Sequence, residues 1–437
     1  MDNVNIFWFR RDLRIDDNIG LNESLKSGLP ILPIFIFDTI ILDLLEEKHD
    51  RRVYFIYKAL NLLHEKFNKH NSNLQVFHGK PMEIFKKIIT SYNVSHVFTN
   101  NDYEPYAIKR DESIKLFLNE NNIQFTSFKD HVIFERNEIT KDNKSPYTIF
   151  SPYARAWKAK LSKEYTTLKN SPQSLENLLK EKTKSIIPLN EIGFYKTEDI
   201  FPAKEIENSF LEKYADNRDL ITDTSTSHLS VHLRFGTISI RKLVSQAFKY
   251  SEKFLDELIW REFYQSILWH FPYVINRSFK PAYDNIEWRN NEIEFKSWCD
   301  GNTGYPIVDA AMRDLKQTGF MPNRARMITS SFLVKHLLVD WRWGEAYFAE
   351  KLIDYDLASN NGGWQWVTGS GCDAAPYFRI FNPSLQTKKF DNKLTYINKW
   401  IPELNSFQYP QPIVDHDFAR KRCIEVFSKG LKSFSPK

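Results

Sequence analysis

The sequence predicts an α/β domain built on a parallel sheet over residues 1–130 and a large all-α domain over 201–437, with a connector at 131–200 between them. Three observations predict this. Short apolar runs alternate with amphipathic segments up to about residue 130, and the stretch after it is polar and mixed. Beyond residue 200 apolar residues recur three and four apart, with few β-type alternations.

Five runs read as strands: VNIFWF (4–9), ILPIFIF (31–37), LQVF (74–77), VSHVF (94–98) and IQFTSF (123–128). Between them, RRVYFIYKALNLLHEKF (51–67) and PYAIKRDESIKLFLNEN (105–121) each carry one apolar face and read as helices. Strands joined by helical crossovers imply a mostly parallel sheet, whose ligand site would lie beyond the carboxyl ends of the strands. SPYTIFSPYARAWKAKL (145–161) predicts a helix inside the connector. NSPQSLENLLKEKTKSIIPLN (170–190) reads as a surface crossover whose lysines suit either solvent or a partner. KFLDELIWREFYQSILWHF (253–271) and RARMITSSFLVKHLLVDWRWGEAYFAEKLI (324–353) are helical, in a region long enough for its own core.

Composition narrows the class. Hydrophobic residues make up 42% of the 437 and charged residues 26%, which excludes wholesale disorder. The formal charge of +5 suits a nucleic-acid partner only if the positive groups gather on one face. Three cysteines without a CxxC pair argue against a disulfide framework and for a reducing, cytoplasmic compartment. No run is long enough to span a membrane, and the opening VNIFWFRRDLR reads as structure rather than as a leader. No metal-ligand spacing is expected to matter.

The first strand is followed by RRDLRIDDNIG instead of a GxGxxG turn, and a P-loop is absent, so a bound dinucleotide would have its phosphates held by other means. Residues 226–230 (Thr226, Ser227, His228, Leu229, Ser230) are one candidate: hydroxyls beside a helix start either cradle phosphate or simply cap the helix. On LDELIWREFYQSIL, Glu257, Trp260, Arg261 and Tyr264 fall on neighbouring turns. Trp260 then sits in the core with Glu257 in solvent, or the two hold a flipped base by stacking and hydrogen bonding. MPNRARMI offers Asn323, Arg324, Arg326 and Met327, whose guanidiniums suit carboxylates or phosphates. Asp354, Asp356 and Asn360 follow. NNGG is expected to break the helix into a binding loop, with Trp364 and Trp366 pointing in different directions.

These segments together resemble the DNA photolyase and cryptochrome flavoprotein family. The resemblance runs through WFRRDLRIDDN, ELIWREFY, WCDGNTGYPIVDAAMRDLKQTGFMPNRARMI and IDYDLASNNGGWQWVTGSGCDAAPYFRIFNPSLQTKKFD, and is strongest to microbial class I enzymes that repair cyclobutane pyrimidine dimers. It implies an N-terminal antenna-type domain and a helical FAD-binding domain with noncovalent FAD, active as the reduced anion. Tyr214 and residues 226–230 would surround the FAD phosphates with Arg261 nearby. Asp354 and Arg326 would pair beside the flavin, Asp356 would contact its ring or linker, and Asn360 would face N5.

In such enzymes light drives an electron from the reduced flavin to a flipped-out dimer, whose ring bonds split before the electron returns. The resemblance implies that Glu257 hydrogen-bonds the lesion, while Trp260, Trp366 and Met327 wall it. Trp364, Trp341 and Trp288 would relay electrons to an oxidised flavin. Arg218, Arg324 and Arg379, with Asn323, would meet DNA phosphates. The expected partner is UV-damaged DNA, bound by a monomer without an obligate protein partner. The resemblance implies that Glu104 reaches a second antenna chromophore, if one is bound, of unassigned identity; His49 and Arg51 either line that region or are ordinary solvated helix residues. The alternative is a cryptochrome photoreceptor; the short end VFSKGLKSFSPK and the retained lesion residues favour repair. Pro322 stands where common relatives have His and argues against the histidine-rich (6-4) chemistry.

Overall fold

The computed structural model describes residues 3–162, 165, 167, 175–182, 184–222 and 225–433, so part of the expected crossover at 170–190 lies outside the described residues. Five parallel strands, β1 (Asn3–Phe9), β2 (Ile31–Asp38), β3 (Gln75–Gly79), β4 (Asn93–Asn100) and β5 (Gln124–Phe128), form one sheet in the order β3-β2-β1-β4-β5. All five expected strands are present within a few residues. β1 is central because it is apolar on both sides. Val4, Ile6 and Trp8 join one cluster with Ile84, Phe85 and Ile88 of the Pro81–Ser91 helix and Ile114 and Leu118 of the Pro105–Glu120 helix. Phe9 points to the opposite face and meets Phe67 of the Arg51–Asn68 helix at 6.0 Å. The register follows the same runs, with Phe7 opposite Pro33 on one side and Phe98 on the other. The Pro81–Ser91 helix, opened by a proline, buries Ile84, Phe85 and Ile88 against the sheet, with Met82 and Ile89 packed beside them.

The chain divides into two compact units whose boundaries differ from the expected 130 and 200. The first comprises residues 1–138, 158–206 and 228–250, and the second 139–157, 207–227 and 251–437. Residues 228–250 thus belong with the sheet rather than with the helical domain. The reason is electrostatic. Arg241, on the Ile240–Tyr250 helix, sends Nε to Asp17 Oδ2 at 2.7 Å and Nη2 to Asp130 Oδ1 at 2.9 Å. Arg14 grips the same Asp130 from the other side at 2.8 and 2.7 Å. All four side chains are buried. Sequence periodicity cannot see this lock, because its members lie more than 100 residues apart.

The second unit is almost wholly helical. Its core cluster gathers Trp298, Trp341 and Trp364 with Phe332, Phe348 and Phe427, and Trp288 packs against it partly buried. Cys299, Cys372 and Cys423 are free thiols, pushed by burial to about 12, 12 and 11.

Burial alone would raise the Asp130 carboxyl, but Arg14 and Arg241 hold it down to about 2. A carboxyl depressed in the folded state stabilises above its unfolded value and loses that contribution as pH falls through the folded one. Urea midpoints of the wild type should therefore fall between about pH 4 and pH 2. Asp130→Asn, which leaves two buried guanidiniums short of their counter-charge, should lower stability at neutral pH by about 3–5 kcal/mol in the same titrations.

Candidate flavin and lesion site

The candidate site lies in the second unit and is organised around one helix, Leu357–Thr368. This helix packs against Glu252–His270, Trp341–Lys351 and Asn323–Ser331. It begins at Asp356, whose side chain caps it by accepting from Ser359 N at 3.1 Å and Ser359 Oγ at 3.0 Å. The expected break at NNGG does not occur: both glycines are inside the helix. Gly362 is there for close approach, since a Cβ would stand 2.2 Å from Cδ1 of Tyr264 on the Glu252–His270 helix. Gly363 is different. A Cβ added there would meet nothing within 4 Å, so the helix is bare where it faces open space. At the far end Lys335 Nζ, fully buried, donates to Thr368 O at 2.9 Å and Tyr377 O at 3.0 Å. A cation suits the carbonyl end of a helix, although burial pushes this ammonium down to about 8.

Helical geometry puts Asn360 and Trp364 about 40° apart on one face and turns Trp366 about 160° away from Trp364. The two tryptophans accordingly separate: Trp364 is 2% exposed and Trp366 is half-buried. Asn360 Nδ2 donates to Glu345 O at 3.0 Å and Glu345 Oε1 at 2.9 Å, which leaves its Oδ1 without a hydrogen bond among the described residues. Glu345 is a residue the sequence reading missed, and no local spacing marks it. Burial raises its carboxyl and the Asn360 amide opposes the rise. Trp364 Nε1 is also buried without a partner. Arg326 reaches Asp354 with one nitrogen, at 3.1 and 2.8 Å, so the expected pair forms.

On the Glu252–His270 helix, Glu257 is ion-paired with Arg218, which follows the Asn208–Asn217 helix. Burial raises the Glu257 carboxyl, while Arg218 and Lys253 draw it back. Tyr214 joins this group: it packs edge-on to Phe254 at 5.0 Å, with Arg218 6.0 Å above its ring. Trp260 is half-buried, and one face is stacked on Phe150 at 3.8 Å. Phe150 lies in the predicted 145–161 helix, observed at Phe150–Lys160. Arg261 is half-buried beside Trp260. Trp157, buried on the same short helix, donates to Glu262 Oε1 at 2.6 Å.

Arg324 pairs with Asp219 at 2.8 Å and lies 4.3 Å over Phe390. Asn323 is exposed and reaches the Met327 sulfur at 3.8 Å. Arg379 is exposed. Trp364, Trp341 and Trp288 share one core but make no direct ring contact with one another among the described residues. Trp364 meets Trp298 at 6.1 Å, Trp341 lies under Arg342 at 4.8 Å and Trp288 meets Phe427 at 5.7 Å.

Leu229 is the cap residue of Ser230–Phe235, without a side-chain cap bond, and His228 takes a positive φ of 51°. Thr226 and Ser227 end a segment of the second unit, and His228, Leu229 and Ser230 open one of the first. In the first unit Glu104 pairs with Arg11 at 2.9 Å and also with Arg234. His49 Nδ1 meets Lys196 O at 2.9 Å and Arg51 pairs with Asp199 at 2.9 Å. Among the described residues no group of three or more His, Cys, Asp or Glu could hold a metal, and no helix is long and apolar enough to cross a membrane.

Comparison with known proteins decides the family. A family model described as the FAD binding domain of DNA photolyase matches residues 254–408, and one described as DNA photolyase matches 5–173. The deoxyribodipyrimidine photo-lyase of Halobacterium salinarum is 34% identical across 98% of this chain and 99% of its own length. The chain belongs to the DNA photolyase family. The deoxyribodipyrimidine photo-lyase of Escherichia coli K12 is likewise 34% identical, over 98% of this chain and 99% of that protein. A bacterial class III photolyase from Agrobacterium tumefaciens superposes with a TM-score of 0.88 at 31% identity, over 99% of both chains. An archaeal photolyase from Sulfolobus tokodaii, solved with two FAD molecules, gives 0.82 at 32% identity over 98% of this chain and 100% of that one. A Synechocystis cryptochrome at 23% identity and a TM-score of 0.85 shares the fold, which carries no argument for the photoreceptor alternative.

The photolyase cofactor FAD fits this site on three local observations: the bare surface at Gly363, the orphaned Trp364 Nε1 and the unpaired Asn360 Oδ1. Asn360, Trp364, Asp356 and the Arg326–Asp354 pair would hold it. A residue with room for its Cβ accepts alanine, so Gly363→Ala should fold and keep its flavin. Gly363→Leu should also fold, by circular dichroism, yet purify with at most a tenth of the wild-type flavin absorbance per protein.

Proposed function

We propose that this photolyase repairs cyclobutane pyrimidine dimers in DNA under blue or near-ultraviolet light, acting as a monomer in the cytoplasm. The observation that carries the reading is the pairing of two helices in one unit. Leu357–Thr368 presents Asn360 and the bare Gly363, and Glu252–His270, packed against it, presents Glu257 and Trp260. Nearly full-length relatives named deoxyribodipyrimidine photo-lyase support it.

Reduced FAD, when bound, supplies the electron that starts splitting of the dimer. The protein does the rest by position and charge. Glu257 hydrogen-bonds the edge of the flipped pyrimidine. Trp366, half-buried, and the uncovered part of Trp260 pack against the lesion, and Met327 fills the wall beside them. A dimer stacks badly in duplex DNA, so its extrusion costs less than flipping a normal pair, which favours damaged sites without reading sequence. Arg218, Arg324 and Arg379 meet backbone phosphates, and Asn323 lies at the exposed start of the same helix as Arg324. Tyr214, Arg261, Thr226 and Ser227, all of the second unit, complete the reading as the phosphate side of FAD.

Chemically reduced protein should split cyclobutane dimers in light and not in darkness, and should leave (6-4) lesions unchanged; absence of light-dependent splitting removes the proposal. In the relay role, Trp288→Phe should slow photoreduction of the oxidised protein at least tenfold. It should leave repair by pre-reduced protein near the wild-type rate, and equal loss of both would contradict the division of roles.

A further inference from the structure

The lesion carboxylate Glu257 is not free in this structure. It ends a chain of alternating charge: Glu257 pairs with Arg218, Arg218 Nε stands 3.7 Å from Asp219 Oδ1, and the same oxygen takes Arg324 Nη2 at 2.8 Å. Both arginines read as phosphate contacts are therefore held by carboxylates of the chain itself. Asp219 is the most exposed member at 47%, against 28% for Glu257 and 17% and 16% for Arg218 and Arg324. Asp219 is the member that water can accept at least cost. The sequence reading did not single it out.

Arriving DNA brings phosphate oxygens that match the guanidinium fork as well as a carboxylate does. It also brings negative charge that repels Asp219. If Arg218 turns to a phosphate, Glu257 loses the cation that chiefly favours its ionised form. The groups left facing it are Lys253 and Asp256 on its own helix, Tyr214 from the preceding segment, and Tyr264 further along. Only Lys253 among them is cationic, and burial already disfavours the carboxylate. A neutral carboxyl has a donor and an acceptor, whereas a carboxylate has acceptors alone. The edge of a pyrimidine offers a carbonyl acceptor beside a ring N–H donor, so the neutral acid is complementary to it. It also puts no negative charge next to a ring about to receive an electron.

We propose that a DNA phosphate takes Arg218 from Glu257, and that Glu257 then takes one proton from solvent and binds the lesion as the neutral acid. Asp219 is the positioning residue that keeps Arg218 and Arg324 in place until DNA arrives. This rests on the repair reading above and adds the step by which backbone contact prepares the lesion group.

The test is calorimetric titration of the full-length, FAD-loaded protein in darkness, in two buffers of different ionisation enthalpy. The ligand is an oligonucleotide bearing one cyclobutane thymine dimer. The wild type should take up a proton on binding, approaching about one per site where pH lies between the free and bound values of Glu257, and affinity should rise as pH falls. Glu257→Gln, which keeps the shape, should bind with at most a fifth of that uptake. Arg218→Met should lose the uptake as well, because its Glu257 is already neutral when free. Asp219→Asn should bind several-fold tighter with the uptake retained. Wild-type binding without uptake anywhere between pH 5 and 8, or uptake unchanged in Glu257→Gln, overturns the proposal while leaving repair intact. Failure to prefer or repair dimer DNA would instead overturn the repair reading, and this inference with it.

Discussion

The contact between Gly362 and the Tyr264 ring is the constraint on which the site depends. At 2.2 Å from a ring carbon, a β-carbon has no place, so the Leu357–Thr368 and Glu252–His270 helices come together only because residue 362 has none. That contact fixes the relation between the helix carrying Asn360 and Trp366 and the helix carrying Glu257 and Trp260. The two ends of Leu357–Thr368 are secured separately, by the Asp356 cap and by Lys335 at its last carbonyls. A glycine in a helix interior lowers helix stability by about 1 kcal/mol relative to alanine. The adjacent pair here uses that freedom twice, once for helix packing and once for open wall.

Burial sets the chemistry of the carboxyl groups nearby. Glu257 and Glu345 are both raised by it, and they are answered by neighbours of different kind. Glu257 has cations beside it, chiefly the ion-paired Arg218, whereas Glu345 has a neutral amide that it holds in orientation. The first arrangement can change when an anion arrives. The second cannot, which suits a group whose task is to keep Asn360 turned one way.

What could be read from the sequence, and what could not, divides by range. The five strands and the long helices rest on local apolar period, and they are where the period puts them. The separation of Trp364 from Trp366 follows from their spacing. Reading NNGG as a break failed because glycine preference was judged without the partner helix that needs it. The boundaries near 130 and 200 failed because Arg241 is tied to Asp17 and Asp130 across more than 100 residues. Glu345 and Asp219 were missed for the same reason: each matters through a side chain that is distant in sequence or turned by the fold. The Arg326–Asp354 pair came from family likeness, as spacing alone offers no reason to join them. Trp260 was expected on the lesion, and its stack on Phe150 arises from a helix in a different part of the chain.

The lock at Arg241 also bears on how the polypeptide is made. Asp17 and Asp130 leave the ribosome long before their counter-ion, and at about 5–20 residues per second the wait from residue 130 to 241 is on the order of 5–20 s. During that interval the nascent sheet can assemble its strands, yet Asp130 has one of its two guanidiniums, Arg14, and waits for the other, Arg241. Completion of the amino-terminal unit is thus deferred until a stretch translated after part of the helical unit has emerged, which makes the two halves of this enzyme interleaved in synthesis as well as in sequence.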